Sequence, residues 1–151
     1  MQSVYIVQEK QFKYQKWIDK LVKEGCQLPP LYAPNNIQAS RFVFSSDGHP
    51  NHIPQYVTQP KRLLQDVAKG RGNTSLFALS CFATVPQAEF FYANLRRAFR
   101  NAKTSIGDAL AEGVLTNEDG LKTADGVNGH FDFYEYENCD LNITFKITKI
   151  L

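Results

Sequence analysis

The chain has 151 residues, 43% of them hydrophobic, with 11 Phe, 7 Tyr and 1 Trp against 1 Met; this composition suits one folded domain with an aromatic core and excludes a disordered chain. Its net charge of +2 conceals a split by sign: residues 1–103 hold 14 Lys/Arg and 6 acids, whereas residues 104–151 hold 3 and 9. Cys26, Cys81 and Cys139 are far apart and form no C-x-x-C pair, which excludes a disulfide framework or a cysteine-rich zinc site, and no run approaches the roughly 20 apolar residues of a membrane span, so the sequence reads as cytoplasmic with no membrane contact.

Val4-Tyr5-Ile6-Val7 is β-branched or aromatic throughout and predicts a short first strand. Tyr14, Trp17, Ile18, Leu21 and Val22 then recur at helical spacing ahead of Gly25, predicting a helix over about residues 9–24. Pro29, Pro30, Pro34 and the Asn35-Asn36 pair make 26–38 an irregular loop. Arg41-Phe42-Val43-Phe44-Ser45 reads as a strand. Turn formers and prolines between Asp47 and Pro60 predict a second irregular stretch, followed by a short helix over about 61–69. Leu76 to Phe82 is nearly continuously apolar, as expected of a strand buried on both faces, and Ser80-Cys81 within it has no matched base and reads as core. Thr84 with Gln87 three residues on forms a capping-box start, and Ala88, Phe91, Leu95, Ala98, Phe99 and Ala102 trace one face of a helix running to about Lys103.

A shorter helix is predicted over about 105–112, closing at Gly113. After a turn-rich stretch, His130 to Glu137 alternates, with Phe131, Phe133, Glu135 and Glu137 sharing one face. Leu141, Ile143, Phe145 and Ile147 alternate in a last strand, and Asn138-Cys139-Asp140 predicts a hairpin between the two. The order predicts a single α+β domain over residues 1–151, with a mixed, mainly antiparallel sheet, helices packed on one face and a C-terminal β-hairpin.

The charge split directs attention to surfaces. Lys13, Lys16 and Lys20 lie opposite the core stripe of the first helix, Arg96 and Arg100 flank the apolar face of the later one, and Phe90 points away from that face near Arg97. Exposed aromatics beside arginine mark contact surfaces. Polarised charge and abundant aromatics without catalytic machinery predict a protein-interaction or self-association module, its partner another protein or a second copy. Nucleic acid is the alternative partner, although a pI of about 8.4 without a reading motif falls short of the usual basic domain. His49-Pro50-Asn51-His52 and His130 lack the setting of a metal site, and no glycine-rich phosphate loop is present, so neither a metal nor a cofactor is expected.

Whether the chain is an enzyme stays open. The order of Arg41 on an early strand, Ser45-Ser46 after it and Glu135-Tyr136-Glu137 on a late one resembles the arginine, Ser-bearing strand and E-x-E of the ADP-ribosyltransferases, without their Ser-Thr-Ser pattern. That resemblance implies catalytic candidates Arg41, Glu135 and Glu137, the arginine clamping the phosphates of NAD and Glu137 stabilising the developing oxocarbenium ion.

Overall fold

The computed structural model describes residues 10–151, so the strand expected at Val4 to Val7 lies outside the described residues. In chain order the elements are α1 (Gln15–Lys23), β1 (Ile37–Val43), α2 (Gln55–Thr58), α3 (Pro60–Ala68), a 3₁₀ turn (Thr74–Phe77), β2 (Leu79–Phe82), α4 (Val85–Ala98), α5 (Ala102–Ser105), β3 (Ala109–Leu115), β4 (Gly120–Lys122), β5 (His130–Glu135), α6 (Leu141–Thr144) and β6 (Lys146–Ile150). The strands form one sheet in the order β4-β5-β2-β1-β3-β6, and every described pairing is antiparallel. The architecture is the expected α+β, with no parallel component among the described strands.

Antiparallel partners point to the same side of a sheet. Ala39, Arg41 and Val43 therefore share a face with their partners Gly113, Ala111 and Ala109. Leu79, Cys81, Phe131 and Phe133 complete this face, and Cys139, Leu141 and Phe145 close over it to make one core. On the opposite face Phe42, Phe82 and Leu110 meet Ala88 and Phe91 of α4. A third cluster joins Ile18 and Leu21 of α1 to Tyr56, Leu63, Phe77, Tyr134 and Tyr136. The long helix α4 thus covers one face, as expected, while the other is covered by the chain from Cys139 to Phe145 with its single turn α6.

Local chemistry explains two helix starts. The Thr84 hydroxyl accepts from the Gln87 N–H at 3.2 Å and donates to Gln87 Oε1 at 2.9 Å. This caps α4 as foreseen, except that the glutamine side chain accepts from the hydroxyl instead of returning to the Thr84 N–H. The Asp140 side chain accepts from Asn142 N at 3.0 Å and starts α6. Residues 10–14, expected to be helical, instead run alongside the end of β5, with Lys13 N donating to Glu135 O and Glu137 N to Gln11 O, both at 2.9 Å.

Two expectations are corrected. The helix expected at 105–112 is not formed: its second half, from Ala109, begins β3, which pairs along its whole length with β1, from Val43 opposite Ala109 to Ile37 opposite Leu115. Gly113 is a mid-strand residue, and a Cβ there would lie 2.6 Å from the Thr144 carbonyl oxygen, so its small size admits the covering chain. The C-terminal hairpin is not formed. The chain does end in two strands, but β5 pairs with β2 and β4, and β6 pairs with β3 across the sheet. Residues 139–145 cross a sheet face between them, which a tight turn at Asn138-Cys139-Asp140 would forbid.

Both sheet edges are managed. Beside β4, Tyr32 bridges to Lys122. The outer strand β6 carries Lys146 and Lys149 and an irregularity in its register with β3 at Leu110/Ala111; charges and bulges of this kind blunt an edge against pairing with another chain. No described helix is long and apolar enough to cross a membrane.

Candidate functional site

Arg41 and Glu135, named from sequence as one constellation, both lie on the sheet face covered by residues 139–145, and both are buried, at 8% and 4% exposure. Arg41 donates from Nε to His52 Nδ1 at 3.0 Å and from Nη1 to the Ser80 carbonyl at 2.6 Å. Burial, and then the Arg41 guanidinium, lower the His52 pKa to about 4, so the ring is neutral at pH 7 and Nδ1 is free to accept. His52 stacks on Phe145 with centroids 5.3 Å apart.

Glu135 Oε2 pairs with Lys13 Nζ at 2.9 Å, and the same ammonium reaches the Cys139 carbonyl at 2.8 Å. The other oxygen, Oε1, is buried without a partner. Burial pushes the Glu135 pKa up despite the opposing pull of Lys13 and Arg41. Cys81 and Cys139 in the same layer are held well above the ordinary thiol value, at about 11 and about 12, chiefly by burial. Neither is a thiolate nucleophile at neutral pH.

This cluster is a buried ionic layer in which Arg41 and Lys13 each hold two hydrogen-bond partners. Glu137 takes no part in it: it lies past the end of β5 and is exposed. The structure therefore brings Arg41 and Glu135 together and leaves Glu137 apart. No group of three or more His, Cys, Asp or Glu among the described residues is placed to hold a metal ion.

The basic surface is also rearranged. Lys13, expected on the solvent face of a helix, precedes α1 and is half-buried against Glu135. Lys16 and Lys20 are exposed on α1, as are Arg96, Arg97 and Arg100 on and beyond α4. Phe90 is 65% exposed and borders a shallow groove with Pro86, Gln87, Val127 and Asn128. Lys10 with Glu118 and Lys13 with Glu135 join the basic first part of the chain to the acidic last part, so the charge split is partly neutralised within the fold.

Sequence reasoning missed an apolar groove. Trp17, placed there in the core stripe of the first helix, is 44% exposed. It stands at the mouth of a groove of about 320 Å³ between α1 and the α2–α3 pair, lined by Tyr14, Tyr56, Val57, Pro60, Leu63, Leu64 and Phe77. The floor is aromatic: the Phe77 ring has Tyr14, Trp17 and Tyr56 within 5.9, 6.3 and 5.3 Å, centroid to centroid. Leu64 and Val57 are exposed on the far wall.

One cation is placed directly at this groove. Lys20 Nζ sits 5.4 Å over the Trp17 ring, and Lys16 and Lys61 are exposed beside the exposed apolar residues of α1 and α3. The acids of these elements are engaged: Asp66 accepts from the Tyr56 hydroxyl and pairs with Arg62, and Asp19 holds the Gln15 amide. An apolar trough with a lysine over its tryptophan can take apolar side chains from a segment whose flanks are acidic. Compared with known proteins, the chain matches no family model, no curated protein and no solved structure.

Proposed function

We propose that the protein is an interaction module that holds an acidic, amphipathic segment of a partner protein in the groove between α1 and α2–α3. The carrying observation is Trp17, a large aromatic held half out of the core on a bed of other aromatics, under a lysine and at the mouth of an apolar trough. Tryptophan and tyrosine in concave apolar settings are the residues that dominate binding energy at interfaces, and lysines around them favour an acidic partner and fix its orientation. The blunted β6 edge directs interaction to this groove in preference to strand pairing.

Trp17 is the sole tryptophan, so its emission reports occupancy of the groove directly. The test titrates the protein with a designed helical peptide bearing leucine and phenylalanine on one face and glutamate on the others, with a lysine-for-glutamate version as control. The acidic peptide is expected to blue-shift Trp17 emission and bind at micromolar concentration, and the basic one to bind far more weakly. Leu64→Glu is expected to weaken binding about 30-fold, the scale of a hot-spot loss of about 2 kcal/mol, while leaving the fold intact because Leu64 is exposed. Failure of the acidic peptide to bind would sink the reading. Binding of oligothymidine in its place, weakening steeply with salt, would assign the surface to nucleic acid, and a dimer blocked by Leu64→Glu would assign it to a second copy.

A further inference from the structure

A second constellation lies on the opposite side of the sheet from the ionic layer. Ser80, expected to be core, is exposed on β2, where it stands opposite Asp132 of β5, while Phe82 stands opposite His130. Ser80 and Asp132 thus project from the same face as neighbours, and His130 reaches between them. Ser80 Oγ is 2.6 Å from His130 Nε2, and Asp132 Oδ1 is 3.7 Å from the same nitrogen. The ring is braced edge-on by Phe82, 5.4 Å away, and Asp132 is fixed by its N–H donating to Thr123 Oγ1 at 2.9 Å.

We propose that Ser80 is a nucleophile activated by His130, and that the protein transfers acyl groups from activated esters to water at this site. The neutral imidazole accepts the Ser80 proton at Nε2 as Oγ attacks the ester carbonyl carbon. The positive charge created by that transfer appears on the nitrogen facing the Asp132 carboxylate, which stabilises it where it forms. Collapse of the tetrahedral intermediate breaks the bond to the leaving alcohol, which takes the proton from Nε2. Water then attacks the acyl-serine by the same path, its proton passing through Nε2 back to Ser80 as the acid departs.

The substrate class follows from the surroundings. β2 pairs along its length with β5 and at Phe82 with β1, and Ser80 is exposed, so water solvates the developing oxyanion. That restricts the site to esters with good leaving groups, such as aryl esters.

The test treats the protein with a fluorophosphonate probe and, separately, with p-nitrophenyl acetate, then maps the modified peptide by mass spectrometry. Label is expected on Ser80, absent in Ser80→Ala, and formed about 100-fold more slowly in His130→Ala, the lower end of what a positioned general base contributes. Circular dichroism confirms that each variant folds. Label at another residue, no label on Ser80, or a Ser80 rate unchanged by His130→Ala would overturn the proposal.

Discussion

Replacing His52 with asparagine isolates the coupling between the buried ionic layer and pH. His52 accepts from Arg41 through Nδ1 at 3.0 Å, and protonating that nitrogen would set an imidazolium against a guanidinium in a largely buried place. Its folded pKa is lowered from 6.5 to about 4, first by burial and then by Arg41, with Asp140 opposing. The unfolded chain therefore takes up this proton between pH 6.5 and 4 while the folded chain does not, so the stability is fully present above pH 6.5 and is lost as pH falls toward 4. Linkage gives a loss of about 1.4 kcal/mol by pH 5.5 and about 2.6 by pH 4.5; partial exposure of the ring trims these to about 1 and 2 kcal/mol. Asparagine is the informative replacement because His52 has φ of 63°, a left-handed backbone that asparagine tolerates better than most residues. Its Oδ1 can also accept from Arg41 without titrating. Losing the stack on Phe145 adds a pH-independent cost of about 1 kcal/mol. Urea unfolding followed by circular dichroism from pH 7.5 to 4.5 should show the wild-type advantage shrink by about 2 kcal/mol, the Glu135 and Asp132 contributions cancelling in the difference. Parallel pH profiles for the two proteins would refute the assignment of this proton to His52.

Lys13→Met leaves the Glu135 carboxylate buried beside no ammonium, and should cost about 2–4 kcal/mol at neutral pH by urea unfolding. Because the Glu135 pKa is raised, the folded protein takes up that proton more readily than the unfolded chain, and the penalty should shrink as pH falls toward 5. Thr84→Ala removes both cap bonds of α4 and should cost about 1 kcal/mol, read as a lowered Tm with unchanged helical content at low temperature. Gly113→Ala places a methyl against the Thr144 carbonyl and should destabilise by about 1–3 kcal/mol, with loss of the His52–Phe145 stack visible as altered NMR shifts of the His52 ring.

The elements read best where one-dimensional pattern and local chemistry agreed. The Thr84 start of α4, the Pro60 start of α3 and the alternation of His130 to Glu135 all appear as expected, including the shared face of Phe131, Phe133 and Glu135. Residues 105–112 misled because Ile106, Ala109 and Leu110 fit a helical period and Gly113 resembles a helix end; pairing with β1, remote in sequence, overrode that local preference. Leu141 to Ile147 alternates without being one strand, because Asp140 caps a turn that sends Leu141 and Phe145 into the core. Of the sites, the nearness of Arg41 to Glu135 was legible as chain order alone, whereas the role of Lys13 depended on residues 10–14 being extended. The Trp17 groove was hidden because helical periodicity shows which residues are apolar and says nothing about whether a neighbouring helix reaches far enough to cover them. Ser80 was hidden by its apolar neighbours, although its alternation with Leu79 and Cys81 places it on the other side of the strand.

The position of β1 in the sheet sets a schedule for biosynthesis. Its long partner β3 lies about seventy residues downstream, with Ile37 opposite Leu115 and Val43 opposite Ala109, and its other neighbour β2 touches it at the register of Ser40 and Phe82. At ribosomal rates of about 5–20 residues per second, β1 waits roughly 4–14 seconds for the strand that pairs along its full length. During that interval Ala39, Phe42 and Val43 lack the β3 side of their packing. The nascent chain is therefore most exposed to chaperone capture or misassociation just before residue 115 clears the exit tunnel, and synonymous changes that slow translation between α4 and β3 would lengthen that window without altering a single contact of the finished protein.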